Sequence, residues 1–211
     1  MKRDRLRKQG PRLMDQVTWR GFEALILENR WLRITVLPEK GSDIVEFLYK
    51  PLDLDVLWRA PSGFWTLERL YPADLTNRRS FIDYYPGGWQ EIVPNGGPSA
   101  IYAGAPFDEH GETPLLPWRW QVTADDPTCV AVTLSVHTLR APLWIEKTLT
   151  LRDGPALFIN EVICNIGAEP FNLMWGHHPA LGPPFLDATC VIDLPAHQGC
   201  RIPSNGSRRN G

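Results

Sequence analysis

Two adjacent histidines, His177 and His178, lie in Asn172-Leu173-Met174-Trp175-Gly176-His177-His178-Pro179-Ala180-Leu181-Gly182, after an apolar run and before a proline. Histidine is the side chain whose ordinary pKa lies near neutral pH, so it can give or take a proton there. If the strand geometry continues through the pair, the two imidazoles point to opposite faces. A third imidazole, His110, stands in His110-Gly111. Between these positions runs Gly87-Gly88-Trp89-Gln90-Glu91-Ile92-Val93-Pro94-Asn95-Gly96-Gly97, which carries an aromatic face, two amides and a carboxylate. The residue types suit proton transfer and hydrogen bonding. Each also has a plainer reading: one structural histidine beside a solvated one, and a buried tryptophan in a glycine-rich loop.

The elements that must position these groups are strands. Residues 22–27, 31–37 and 43–49 read as three, and Leu32, Ile34 and Val36 alternate with Arg33 and Thr35. Turn residues Pro38-Glu39-Lys40-Gly41 punctuate them, and Val56-Leu57-Trp58 follows a turn at 51–55. Residues 118–123, 129–139, 143–151 and 156–165 read as four more, separated by Asp125-Asp126-Pro127, Arg140-Ala141-Pro142 and Arg152-Asp153-Gly154-Pro155. Residues 171–176 read as a strand ending at the histidine pair, and 188–194 as a further candidate. No stretch shows a helical period. The expected architecture is all-β and antiparallel, a sandwich or an elaborated barrel.

Residues 60–111 break the pattern. They are rich in Pro, Gly and aromatics, among them Phe64, Trp65, Tyr71, Phe81, Tyr84, Tyr85, Trp89, Tyr102 and Phe107. A long irregular stretch in a compact domain is functional or disordered, and disordered segments are poor in aromatics, so an ordered functional loop is expected.

The chain has 211 residues, 43% of them hydrophobic, enough to bury a core. The division expected is a basic flexible arm over 1–20, one β-sandwich domain over 21–200 and a disordered tail over 201–211. A net charge of −2 leaves no electrostatic footprint for nucleic acid or acidic membranes. No run approaches a membrane span, and the basic start has no apolar segment behind it to make a signal peptide. Cys129, Cys164, Cys190 and Cys200 show no paired or zinc-ribbon spacing and are expected to be free thiols in a cytoplasmic protein. The 9 Trp include faces suited to sugar C–H surfaces, and the 20 Pro argue against long helices.

Three segments resemble the aldose 1-epimerase (mutarotase) family: Leu27-Glu28-Asn29-Arg30-Trp31-Leu32-Arg33-Ile34-Thr35-Val36-Leu37-Pro38-Glu39-Lys40-Gly41, His110-Gly111 with Trp118 beyond it, and Gly176-His177-His178-Pro179-Ala180-Leu181-Gly182. The Gly87 to Gly97 loop is similar to one in less-studied branches of that family. The resemblance spans about 22–186. It implies the galactose mutarotase-like β-supersandwich and the interconversion of sugar anomers by His/Glu acid–base ring opening, with no metal and no organic cofactor. His178, directly before Pro179, matches the family's general acid, and His110 its sugar-binding histidine. Trp89, Gln90, Asn95 and His177 become candidates for binding a hexose or hexose derivative. Arg78, Arg79 and Arg119 are available should the sugar be phosphorylated. The family's base is a Glu near its C-terminus; the 29 residues after Gly182 contain none. The chain therefore reads as a truncated product or shortened relative, possessing an exposed sheet edge that a second copy would cover. Among carboxylates at hand, Glu91 is the best substitute base, ahead of Glu112 and of Glu146, whose phase suggests a solvated strand face.

Two other classes stay open. A non-catalytic carbohydrate-binding module would keep the aromatic loop and the histidines and need no base. A metal-dependent β-barrel enzyme would use His110, Glu112, His177 and His178 as ligands, though the tight His-x-His spacing of such sites is missing. A serine hydrolase lacks its G-x-S-x-G elbow.

Overall fold

The structure is a computed structural model that describes residues 10–61, 81, 85–191 and 193. Its strands are β1 (Arg12–Trp19), β2 (Phe22–Glu28), β3 (Leu32–Leu37), β4 (Asp43–Tyr49), β5 (Leu54–Asp55), β6 (Trp89–Ile92), β7 (Ala100–Tyr102), β8 (Ala105–Phe107), β9 (Arg119–Asp125), β10 (Cys129–His137), β11 (Leu143–Arg152), β12 (Leu157–Asn165) and β13 (Gly176–Pro179). Among the described residues there is no α-helix, only two short 3-10 turns at Lys50–Leu52 and Thr113–Leu115.

The strands form an antiparallel sandwich. The larger sheet has the order β1-β2-β3-β4-β6-β13, with β5 beside β4; the smaller is β12-β11-β10-β9; β7 and β8 make a separate hairpin. Period-two alternation turns one set of side chains from each sheet inward. Leu25, Leu27, Ile34 and Val36 of the larger sheet share one core with Val132, Leu134, Ile145 and Leu149 of the smaller. The opposite face of the larger sheet buries a second, small cluster of Phe22, Ala24, Leu37 and Val45. A register shift between Thr35 and Val36 places Val45 as an extra residue, so both Val45 and Glu46 lie on that face. Arg59 Nε then bonds the Val45 carbonyl at 3.1 Å.

The structure differs from the sequence reading at several boundaries, and the described residues of the 188–194 candidate form no strand. Residues 12–19, within the basic arm by charge, form β1: Leu13 packs on the core and Arg12 pairs with Glu28. The expected strand at 171–176 starts only at Gly176 and carries the histidines inside it, because β13 takes its register from β6. The irregular region contains β6, whose four residues between Gly88 and Val93 are too few for a periodic signal. Residues 1–9 and 201–211, the outer parts of the expected arm and tail, lie outside the described residues, as do Phe64, Trp65, Tyr71, Arg78, Arg79, Tyr84 and Cys200. Cys129, Cys164 and Cys190 carry free thiols. No helix among the described residues is long and apolar enough to cross a membrane.

Candidate functional site

Strand β13 pairs with β6 so that His177 stands opposite Glu91 and His178 opposite Gln90. Cross-strand neighbours share a face, and successive residues alternate. Trp89, Glu91 and His177 therefore face the smaller sheet, where they meet Lys147 of β11 and Glu161 of β12. Gln90 and His178 face the other way, where the site forms.

His110 reaches this outer face from a loop. It adopts a left-handed φ of 63°, followed by Gly111 at φ 80°. A Cβ on Gly111 would lie 2.2 Å from the Val93 carbonyl oxygen, so only glycine permits the approach. The loop is fastened to the end of β6: Glu112 N donates to Val93 O at 2.8 Å, and Thr113 Oγ1 donates to Glu91 O at 2.6 Å and accepts from Val93 N at 3.0 Å. The result sets the His110 and His178 rings 5.0 Å apart.

Aromatic rings enclose the pair. Phe81 stands edge-on to His110 at 4.5 Å and to His178 at 5.5 Å, and Tyr85 meets His178 at 5.3 Å. Burial, and then the neighbouring His110, push the His178 pKa below the usual histidine range. The Nδ1 atoms of both histidines are buried without a hydrogen-bond partner.

Behind the rings lies a polar floor. Gln90 is fully buried; its Nε2 donates to Gly87 O at 2.6 Å and to Asp43 Oδ2 at 3.1 Å, leaving Oε1 without a partner. Asp43 is also fully buried and pairs with the Lys40 ammonium, and its Oδ1 is unpartnered. Burial raises the Asp43 pKa against the pull of Lys40. Tyr85 rises too, by burial and then by the Asp43 charge. Glycines let β6 close on its neighbours: a Cβ on Gly88 would come within 2.8 Å of the Ile44 carbonyl oxygen.

Of the residues the sequence singled out, the structure brings together His178, His110 and Gln90. It separates Trp89, His177 and Glu91, which sit on the inner face. There Trp89 stacks on Phe47 at 6.3 Å and donates Nε1–H to His177 Nδ1 at 3.0 Å. Asn95 is occupied by its own loop: Nδ2 donates to the carbonyls of Gly97, Pro98 and Asp108, and Oδ1 accepts from Gly97 N. Glu112, a ligand type by sequence, instead receives the backbone N–H groups of Leu139, Arg140 and Ala141. Among the described residues no group of three or more His, Cys, Asp and Glu side chains converges as metal ligands would.

Asp43 and Lys40 of the floor, and Lys147 and Glu161 of the inner cluster, were not singled out by sequence reasoning. A signal existed for the last two. Lys147 falls in phase with Leu143, Ile145, Leu149 and Leu151, and Glu161 with Leu157, Ile159 and Ile163. A charged residue in the apolar phase of a strand must be paired inside.

A crystal structure of a galactose mutarotase-like protein from Lactobacillus casei is similar to this chain, with a TM-score of 0.51 and 18% identity over 74% of this chain and 49% of that one. A TPR-domain containing protein from Parabacteroides distasonis is also similar, with a TM-score of 0.46 and 16% identity over 67% of this chain and 21% of that one. No protein-family model and no curated protein matches the sequence. The chain thus has the galactose mutarotase-like antiparallel β-sandwich fold, and it spans about half the length of the Lactobacillus protein.

Proposed function

We propose that the outer face around His178 binds a free sugar, a hexose or hexose derivative, and interconverts its anomers. The observation that carries this reading is the set of unpartnered polar atoms gathered there: Nδ1 of His110, Nδ1 of His178, Oε1 of Gln90 and Oδ1 of Asp43. Buried polar atoms without partners are costly and uncommon in native proteins. A ligand bearing several hydroxyl groups would satisfy them, and the aromatic rings beside them suit its C–H faces.

Ring opening of an aldose requires the anomeric hydroxyl to lose a proton and the ring oxygen to gain one; closure reverses the transfer. Each neutral imidazole offers one bare nitrogen and one N–H. The acid role implied for His178 by resemblance requires its imidazolium form, which burial disfavours. His178 therefore takes the anomeric hydroxyl proton at neutral pH, His110, 5.0 Å away, donates an N–H hydrogen bond to the ring oxygen, and the imidazolium formed at His178 returns its proton to that oxygen as the ring opens. No metal or organic cofactor enters this scheme.

A second reading, sugar binding without turnover, is favoured by one observation. Glu91 faces the smaller sheet, 3.2 Å from the Lys147 ammonium, rather than the histidine pair. The two readings part in a single experiment: anomer interconversion of freshly dissolved α-glucose and α-galactose, followed by NMR with wild type beside His178→Ala. A protein-dependent rate lost in the variant supports the epimerase. Sugar-induced changes in tryptophan fluorescence without acceleration support the binding module. The absence of both responses would end the sugar reading.

A further inference from the structure

The inner face of β6 and β13 holds a second titratable cluster that the proposed chemistry does not use. Glu91 of β6 is 1% exposed, and Lys147 of β11 is 3% exposed. Lys147 Nζ lies 3.2 Å from Glu91 Oε2, donates to the Ser42 carbonyl at 3.3 Å and sits 4.9 Å above the Trp118 ring. Glu161 of β12, the cross-strand partner of Lys147, interacts with Glu91 on one side, and its Oε2 lies 3.1 Å from His177 Nε2 on the other. His177 Nδ1 accepts from Trp89, so Nε2 carries the imidazole proton and donates to Glu161. The Lys147 charge also acts on the buried Asp43, which pairs with Lys40.

As two carboxylates, Glu91 and Glu161 could not bond each other, because ionised carboxylates only accept. Oε1 of Glu91 and Oε1 of Glu161 are buried without a hydrogen-bond partner, and Oε2 of Glu91 has the Lys147 ammonium 3.2 Å away. One proton resolves this by turning Glu91 into a donor. We infer that Glu91 holds a proton in the folded protein and donates it to Glu161, and that this proton-bound pair fixes His177 and with it β13, the strand that carries His178. Glu91 and Glu161 are positioning residues. Among the described residues β13 is a four-residue strand at the end of the sheet order, paired with β6, and the His177–Glu161 bond links it to the smaller sheet.

The titration of the two groups agrees. Burial, above all, raises Glu91, and contact with Glu161 raises it further, against the Lys147 charge. Glu161 is lowered against its own burial by His177, Lys147 and Glu91. The stability contributed by the raised Glu91 is present at low pH and lost as pH rises through its folded pKa. That contributed by the lowered Glu161 is present above the unfolded carboxyl pKa and lost as pH falls through its folded value. The pair is therefore most stabilising in the window between them, where it holds one proton.

The proton is tested without any sugar, by carboxyl NMR of the intact chain labelled with 13C in glutamate side chains. One glutamate resonance is expected to titrate above the ordinary carboxyl range and to vanish in Glu91→Gln; if every glutamate titrates in the ordinary range, the inference is overturned. Wild type alone decides this point should the variant not fold. The positioning role, which rests on His178 being the working group of the site, is read from the His178 imidazole titration in Glu161→Ala. Removing a negative charge alone would lower the His178 pKa. Loosening β13 exposes the ring and raises it toward the ordinary value, by about half a unit or more. A rise supports positioning; a fall or no change removes it. Neither readout depends on sugar turnover, so a failure of the epimerase reading stays distinct from a failure of this one.

Discussion

His177 and His178 are chain neighbours whose side chains work on opposite faces of one strand: His177 is bonded to Trp89 and Glu161 at the exposed rim of the face toward the smaller sheet, and His178 stands with His110, Phe81 and Tyr85 on the outer face. Substituting them should therefore give different phenotypes. His178→Ala should abolish any sugar-dependent rate with little loss of stability. His177→Ala should lower stability by about 1–2 kcal/mol, the scale of the hydrogen bonds it makes. Urea unfolding beside an anomerisation assay separates the two; equal losses of activity and stability in both variants would contradict the division.

The pH profile of the proposed reaction has a fixed sign. His178 is lowered by burial and by His110, and it acts as its neutral form. The rate should fall on acidification as the imidazole takes up a proton, and level off above. The inflection in kcat/KM should lie below the ordinary histidine value of about 6.5. A rate that instead rises toward acid pH would assign His178 the imidazolium role.

Gly111 tests how His110 is delivered. Its φ of 80° and the 2.2 Å approach of a Cβ to Val93 O predict that Gly111→Ala shifts the loop off β6. The cost should be roughly 1–3 kcal/mol, the scale of a residue forced into a strained conformation. Sugar affinity should fall with stability, because His110 moves with the loop. An unchanged thermal midpoint and unchanged sugar response would show that the loop adjusts freely.

Glu112 should behave as a structural residue. Its carboxylate accepts three consecutive backbone N–H groups at the turn between β10 and β11. Glu112→Ala leaves these donors without that acceptor and should cost on the order of 2–3 kcal/mol. Glu112→Gln retains one acceptor oxygen and should cost less. Metal additions during unfolding should protect wild type no more than the variants; selective protection of wild type would restore the ligand reading.

The strands were legible wherever a face alternated over enough residues. Those at 22–28, 32–37, 43–49, 129–137, 143–152 and 157–165 follow from runs such as Val130, Val132, Leu134 and Val136 with polar residues between. The N-terminal strand was hidden because basic residues dominate its surroundings and because a register shift turns Leu13 to the inner core and Val17 to the opposite face, which breaks the alternation. The strand at 89–92 is too short to show a period. In the site, His178 and His110 could be named from local motifs, and Gln90 from its loop. Asp43 and Lys40 could not, since a charged pair beside a turn reads as solvated until a fold buries it.

By itself the sequence determined the antiparallel β class, through its alternation and turn residues, and the presence of three histidines able to exchange protons near neutral pH. It also held the information that Lys147 and Glu161 are internal, because both occupy the apolar phase of their strands. Only the tertiary structure decided which groups meet. The register of β13 on β6 pairs His178 with Gln90 and His177 with Glu91, and a slip of one residue would exchange their faces. That register arises from hydrogen bonds between segments more than eighty residues apart and from a loop that only Gly111 allows to close. The same pairing removes Glu91 from the outer site and buries it against Glu161, where dehydration makes a shared proton the favoured state.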